Sequence, residues 1–320
     1  MIRAGIIGGA GYTAGELIRL LLNHPETDIA WVHSTSNAGN PVSDVHGGLF
    51  GDTDMVFSDS YDLENVDVVF LCSGHGKSTE FWQQNALPDG LKVIDLAQDF
   101  RDESAGYVYG LPECNRDRIS GSRLVANPGC FATAIQLALL PLAAAGKLHG
   151  DVNVTGITGS TGAGVKPGAT THFSWRNDNL SVYKPFTHQH LKEIGMTLGQ
   201  LEPGCDAQIS FVPVRGDFPR GIFAVTTVTT DLGADEARKL YEDYYATAAF
   251  THVMSRAVDL KQVVNTNKCL LQLEKNGDKL LIVSCIDNLL KGASGQAVQN
   301  MNLIFGLPEK TGLMLKPSAF

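Results

Sequence analysis

The stretch RLVANPGCFATAIQLALLPLAAAG, from Arg123 to Gly146, sets one thiol, Cys130, between a Pro-Gly pair and a long apolar run. A thiol at the start of a helix meets free backbone amides and the positive end of the helix dipole, which stabilise the thiolate. A thiolate attacks acyl carbons at neutral pH. Most cysteines in a soluble chain are small core hydrophobes instead. The other five here, Cys72, Cys114, Cys205, Cys269 and Cys285, fall in strand-like runs or in the loop-like segments PECN and PGCD. None has the setting of Cys130. A nucleophilic thiol also needs a proton carrier and a group that orients it. YKPFTHQHLKEIG supplies His188, His190 and Glu193. His190 and Glu193 are three apart and share a face if the segment is helical. Two histidines at this spacing would also suit a metal on a strand, but a third ligand is missing from any obvious place, and no metal is expected. The residues alone leave open which histidine serves the thiol.

Cations and phosphate-cradling turns surround this chemistry. DLAQDFR puts Arg101 just past the end of a strand, and GSTGAGVKPG is a Gly/Ser loop carrying Lys166, whose amides at Gly159 and Ser160 suit a phosphate or carboxylate. VRGDFPRG adds Arg215 and Arg220. Together they point to an anionic substrate. Near the N-terminus, Gly8-x-x-Gly11-x-x-Ala14, with Gly9 and Gly15, separates an apolar strand from an amphipathic helix. That placement lets a pyrophosphate approach the backbone at a helix N-terminus. The second strand ends HSTSNAG, with no acid to hold a ribose 2′-hydroxyl. Ser34, Thr35, Ser36 and Asn37 offer hydroxyls and an amide there, which favours NADP over NAD.

The elements that must position these groups are legible in outline. The 320 residues suit two domains rather than one core. Hydrophobic residues make up 43% and the mean hydropathy is -0.02, as in globular proteins. A net charge of -9 argues against a general nucleic-acid binder. The N-terminal segment enters a strand pattern without a signal-like region, and the longest apolar run, 132–145, is too short to span a bilayer. No CxxC pair occurs, and a reduced, cytoplasmic setting is expected.

Over the first 130 or so residues, strands (RAGII, DIAWVH, VDVVFLC, LKVIDLA, SRLVAN) alternate with helical stretches, which predicts a Rossmann-type doubly wound parallel sheet. After Gly146 strands outnumber crossovers, and KCLLQLEKNGDKLLIVSCID reads as a hairpin turning at Asn276–Gly277. The second half is therefore an α+β domain with a mostly antiparallel sheet. The expected division is a dinucleotide-binding domain over 1–129 and a catalytic and oligomerisation domain over 130–287. A C-terminal helix in 288–320 packs back on the first.

A dinucleotide-binding half followed at once by an activated cysteine suggests acyl-phosphate reduction. The thiolate displaces phosphate, hydride reduces the thioester, and an aldehyde leaves. At this point the sequence resembles the N-acetyl-gamma-glutamyl-phosphate reductase family, the arginine-pathway branch of the aspartate-semialdehyde dehydrogenase superfamily. The resemblance runs nearly the whole length, through GAGYTAGEL, GHGKS, DFR, YGLPE, NPGCFAT, GSTGAG, HQHLKEI and NLLKGASGQAVQNMN, in the family's order.

It implies that Cys130 carries the acyl group, with His188, His190 and Glu193 assisting. It implies cofactor contacts from Gly8, Gly11, Tyr12, Thr13, Ala14, Ser34, Ser36, Ser73 and Asn288. It implies substrate contacts from Arg101, Asn127, Gly159, Ser160 and Lys166, and a homodimer or homotetramer. Ala14 stands where many members have Gly, Thr35 where many have Arg, and Val165–Lys166 where many have Gly-Arg. The acyl group, acetyl or succinyl, stays open. The competing readings are an aspartate-semialdehyde dehydrogenase, a non-catalytic NADP-sensing or scaffold protein, and a thiol hydrolase.

Overall fold

The computed structural model describes residues 1–318 and divides into two compact units. One comprises Met1–Pro128 and Ala293–Met314; the other comprises Gly129–Gly292 and residues 315–318.

The first unit is built on β1 (Ile2–Ile7), β2 (Thr27–His33), β3 (Val68–Leu71), β4 (Lys92–Asp95), β5 (Val108–Tyr109) and β6 (Leu124–Ala126). They form a six-stranded sheet in the order β2-β1-β3-β4-β6-β5, parallel at every pairing. A parallel sheet is covered on both faces, so its strands read as unbroken apolar runs. β3, VVFL, is buried at every residue. The helices of this part are α1 (Tyr12–Leu22), the single turn α2 (Val42–Val45), α3 (Lys77–Gln84) and α4 (Pro112–Ser120). α1 buries Ala14, Leu17, Ile18, Leu20 and Leu21, the helical periodicity of its sequence. Cys114, which its sequence places in a loop, lies inside α4. Pro112 opens that helix at a position where a missing N–H costs nothing.

The second unit opens with α5 (Cys130–Ala144), then β7 (Asp151–Thr158), the single turn α6 (Phe173–Arg176) and β8 (Ser181–Val182). It continues through α7 (His190–Leu201), β9 (Gln208–Arg215), β10 (Ile222–Thr229), α8 (Ala234–Tyr244), β11 (Thr251–Met254), β12 (Cys269–Asn276) and β13 (Lys279–Ile286). Seven strands run in the order β11-β12-β13-β10-β7-β9-β8. Pairings β12–β13, β13–β10, β10–β7 and β9–β8 are antiparallel, whereas β11–β12 and β7–β9 are parallel, giving the mixed, mostly antiparallel sheet read from the sequence. In the β12–β13 hairpin Asn276 pairs with Lys279, so the turn is Gly277–Asp278, one residue later than Asn276–Gly277.

α5 is buried at every residue from Phe131 to Ala143, which is why its sequence is apolar all round. Pro141 sits inside it and cannot donate to the carbonyl one turn back. Tyr245 Oη donates to that carbonyl, Leu137 O, at 2.6 Å, and Tyr241 Oη to Ala138 O at 2.6 Å. Among the described residues no helix is long and apolar enough to cross a membrane.

After β13 the chain makes a π-helical turn at Leu290–Ser294 and re-enters the first unit as α9 (Gly295–Ile304). α9 packs on α1, α4 and β4 and is buried at every residue. Its amides, Gln296, Gln299, Asn300 and Asn302, therefore bond to neighbouring chain. Asn300 Nδ2 donates to Gly110 O at 2.9 Å, and Asn302 Nδ2 to Thr311 O at 2.9 Å.

Candidate active site

Cys130 is the first residue of α5, and Gly129 caps that helix without a side chain. The half-buried Sγ thus belongs to the turn whose amides point outward and whose dipole favours negative charge. Of the other thiols only Cys114 shares a first helical turn, that of α4, and it is more deeply buried. Burial pushes Cys114 up to about 12 and raises Cys72, Cys205 and Cys285 as well, holding them as thiols. Gly292, in the π-helical turn, lies flat against the nucleophile: a Cβ there would come within 2.8 Å of Cys130 Cβ.

α7 begins at His190 and brings Glu193 onto the same face, as the three-residue spacing requires. Glu193, 5% exposed, accepts the Gly129 N–H on Oε2 at 3.0 Å, and its Oε1 lies 3.8 Å from His190 Nε2. His188 precedes the helix. Its Nδ1 accepts the His190 N–H at 3.2 Å, and its ring meets that of His190 edge-on at 4.5 Å. Phe131, Tyr183 and Phe211 close around His188 with ring centroids 5.5–5.9 Å away. Burial, reinforced by the charge of Lys184, pushes His188 down to about 4, so the ring is neutral at physiological pH. The Tyr183 hydroxyl is held high by burial and then by the charge of Cys130, against the lowering effect of Arg215.

In the first unit, Gly8 adopts φ +80° with the Ser73 N only 2.8 Å from where a Cβ would lie. No side chain caps α1, whose N-cap is Gly11. The amides of Tyr12, Thr13 and Ala14 thus open onto a bare glycine turn, a cradle that fits a pyrophosphate. Ala14 is fully buried and Tyr12 is 42% exposed, so Ala14 has only backbone to offer a ligand. Past β2, Asn37 Nδ2 donates to Ser36 Oγ at 2.9 Å and to Ser34 Oγ at 3.4 Å, a hydroxyl–amide cluster without a carboxylate. GHGKS and DFR interlock. Asp99 accepts Gly76 N at 2.7 Å and Thr79 N at 3.0 Å, capping α3, while Ser78 Oγ donates to Asp95 at 2.8 Å.

Three residues expected to meet ligands also bond within their own unit, where each is buried beside a backbone polar group that needs a partner. Asn127, 1% exposed, donates to Ala293 O at 3.0 Å and accepts from Asn300 at 3.1 Å. Arg101, 7% exposed, donates to Asn127 O at 2.9 Å and Leu96 O at 3.0 Å. Asn288, 2% exposed, accepts Gly221 N at 2.7 Å and donates to Thr161 Oγ1 at 3.1 Å. Asn288 thereby clamps the GSTGAG loop, whose Gly159, Ser160 and Thr161 amides bond to Gly221 O, Phe218 O and Pro219 O. Lys166 is exposed beyond that loop and makes no ion pair among the described residues.

Reading the sequence missed Gly292, Tyr183 and Arg176. Gly292 sits in a stretch, LKGAS, that looks like plain helix. Tyr183 and Arg176 come from a loop-rich segment without periodicity. The aromatic and cationic residues scattered through 172–186 (His172, Phe173, Trp175, Arg176, Tyr183, Lys184 and Phe186) were the only signal.

The matching family models are the semialdehyde dehydrogenase NAD binding domain over residues 3–122 and the semialdehyde dehydrogenase dimerisation domain over 130–288. The chain belongs to the semialdehyde dehydrogenase family. Among its relatives, N-acetyl-gamma-glutamyl-phosphate reductase of Bacteroides fragilis is 62% identical over all of both chains. The proteins of that name from Phocaeicola vulgatus and Flavobacterium johnsoniae are 61% and 54% identical, again over 100% of each chain. Among solved structures, aspartate semialdehyde dehydrogenase II of Vibrio cholerae aligns with a TM-score of 0.76 over 96% of this chain and 98% of its own, at 17% identity. Aspartate semialdehyde dehydrogenase with NADP from Candida albicans aligns with a TM-score of 0.73 over 95% and 98%, at 16% identity. At such identities these two establish the fold.

Proposed function

We propose that the chain reduces an N-acyl-gamma-glutamyl phosphate to N-acylglutamate 5-semialdehyde and phosphate, with NADPH as reductant and Cys130 as acyl carrier. The observation that carries this reading is Cys130 at the uncapped start of α5, with Glu193 holding the preceding amide and facing His190. Relatives of the same name over the full length support the substrate class.

Cys130 Sγ attacks the acyl carbon, the bond to the phosphate oxygen breaks, and phosphate leaves. The amides of the first turn of α5 face the charge that builds up there. When bound, reduced nicotinamide would supply the hydride for the thioester carbon, and a protonated side chain at the oxygen would supply the proton that completes a thiohemiacetal. Collapse of that adduct releases the aldehyde and returns the thiolate, and a base must take the hydroxyl proton. We assign that role to His190, whose Nε2 faces Glu193; burial makes His188 a weak base, and its Nδ1 already accepts the His190 N–H.

The glycine turn at Gly8–Gly11, with the amides of Tyr12, Thr13 and Ala14 and the nearby Ser73, would hold the dinucleotide phosphates. Ser34 and Ser36, with no acid beside them, suit a 2′-phosphate better than a free 2′-hydroxyl, which supports NADP. Gly159 and Ser160 form the wall of the substrate loop, with Lys166 beyond it as a mobile-stemmed cation for phosphate. Arg101, Asn127 and Asn288 act as positioning residues.

Self-association fits the same reading. The exposed large apolar side chains of the second unit, among the described residues, all fall between Val165 and Phe186: Val165, Phe173, Trp175, Leu180, Val182 and Phe186. So concentrated a surface marks a contact, and a second copy of the chain is its proposed occupant.

The test is phosphate-dependent reduction of NADP and of NAD with N-acetyl- and N-succinylglutamate semialdehyde, against aspartate semialdehyde. Wild-type protein turns over an N-acylglutamate semialdehyde, and Cys130→Ser loses that turnover while still binding NADPH. Full activity in Cys130→Ser, or preference for aspartate semialdehyde, overturns the reading.

A further inference from the structure

Two arginines of the second unit lack a counter-ion. Arg176 is 5% exposed, donates to Arg215 O and to Ser181 Oγ at 2.5 and 2.9 Å, and leaves its buried Nε without a hydrogen-bond partner. The guanidinium of Arg215 lies 4.5 Å above the Tyr183 ring, its Nη1 donates to Thr170 Oγ1 at 3.3 Å, and its buried Nε is likewise unpartnered. Among the described residues neither arginine forms an ion pair. The nearest acids in sequence are already engaged: Asp217 accepts the Asp178 N–H at 2.7 Å, and Asp178 accepts from Asn177 at 2.8 Å. A buried charge with unmet donors is costly unless an anion completes it.

The position of this pair adds the second half of the argument. Arg215 ends β9 beside Thr158 of β7, immediately before the loop that carries Gly159 and Ser160. Tyr183, the floor under its guanidinium, also meets the His188 ring at 5.9 Å, and His188 meets His190 at 4.5 Å. The half-buried Arg215 guanidinium, which bonds Thr170 and Tyr183 but leaves its Nε unmet and has no counter-ion among the described residues, is thus one aromatic ring away from the histidine pair. An arginine fork matches a carboxylate bidentately.

We propose that Arg215, braced by Arg176 and floored by Tyr183, receives a carboxylate of the substrate other than the reacting acyl group. This deepens the reading above and rests on it. An N-acylglutamyl substrate offers an α-carboxylate, and an N-succinyl one offers a second carboxylate on the acyl arm. Either would supply the missing anion.

The experiment uses the full chain as Arg215→Gln and Arg215→Lys, with N-acetyl- and N-succinylglutamate semialdehyde and the α-carboxamide of each. For the substrate bearing the recognised carboxylate, Arg215→Gln raises KM by about tenfold or more, with the KM for NADP unchanged. Arg215→Lys recovers part of that loss. Carboxamide substitution abolishes the difference between wild type and variant if the α-carboxylate is the ligand. A difference confined to the N-succinyl substrates assigns the acyl arm. An equal loss on every substrate, or none, overturns the proposal. If wild type turns over no semialdehyde, the reductase reading fails on its own. Tryptophan quenching by N-acetyl- and N-succinyl-L-glutamate, read beside Arg176 at Trp175, then decides. Saturable quenching lost in Arg215→Gln upholds the carboxylate site, and its absence in wild type overturns it.

Discussion

Glu193 accepts the N–H of Gly129, the residue before Cys130, at 3.0 Å, and turns its other oxygen toward His190 Nε2 at 3.8 Å. One carboxylate thereby ties the start of α5, at Cys130, to the start of α7, at His190. α5 and α7 are far apart in sequence, so this link exists only in the fold.

Replacing Glu193 tests that link. Glu193→Gln keeps an oxygen for the Gly129 amide but removes the charge facing His190, and should lower kcat about tenfold with little loss of stability. Glu193→Ala also leaves a buried amide unpaired, which costs about 1–3 kcal/mol. Its kcat should fall further, with the KM for NADP unchanged in both. Steady-state kinetics with urea unfolding measures both effects, and a Glu193→Gln kcat equal to that of wild type would deny the charge a role.

His188 makes stability depend on acid. It takes up its proton near pH 6.5 when unfolded and near 4 when folded. Between those values the unfolded chain binds more protons, so stability falls as the pH drops from 6.5 toward 4. The contribution is about 3 kcal/mol at most. His188→Asn, which keeps an acceptor for the His190 N–H, should flatten that slope. Urea unfolding at pH 7 and pH 4.5 is the measurement, and an unchanged slope in the variant would assign the acid sensitivity elsewhere.

Gly292→Ala should act on the nucleophile without touching a ligand. A methyl 2.8 Å from Cys130 Cβ and 3.2 Å from its Cα must displace one of the two turns. Such overpacking costs about 1–3 kcal/mol. Turnover and the rate of Cys130 labelling by iodoacetamide should fall together, with dinucleotide affinity retained. Normal labelling with normal turnover would show that the contact relaxes freely.

Gly8→Ala should act on the other unit. A side chain at φ +80° costs about 1–2 kcal/mol, and its Cβ would meet the backbone of Ser73 at 2.8 Å. The expected outcome is at least tenfold weaker NADPH binding by fluorescence titration, with Cys130 labelling unchanged. Undiminished affinity would remove the turn from the phosphate site.

The parallel sheet, the glycine turn and the helix start at Cys130 were legible in the sequence because each is written locally. Apolar runs such as VVFL and the all-apolar α5 announce burial on every side, and a cysteine after Pro-Gly announces a helix start. The spacing of His190 and Glu193 announced a shared helical face. The hairpin was legible, but its turn was read one residue early, because Asn276 still pairs with Lys279.

What local patterns could not decide was which polar side chains are free for ligands. Arg101, Asn127 and Asn288 read as contacts because of their types and motifs. Burial assigns them to backbone groups of other segments, and those partners lie up to 166 residues away. The division of labour between His188 and His190 has the same origin: two residues apart, they differ through an aromatic cage drawn from α5, β9 and Tyr183. The residue types that can do the chemistry are a property of the chain. Their charge state, their freedom and the unanswered guanidinium of Arg215 come from desolvation and long-range hydrogen bonding, which exist only once the chain has folded.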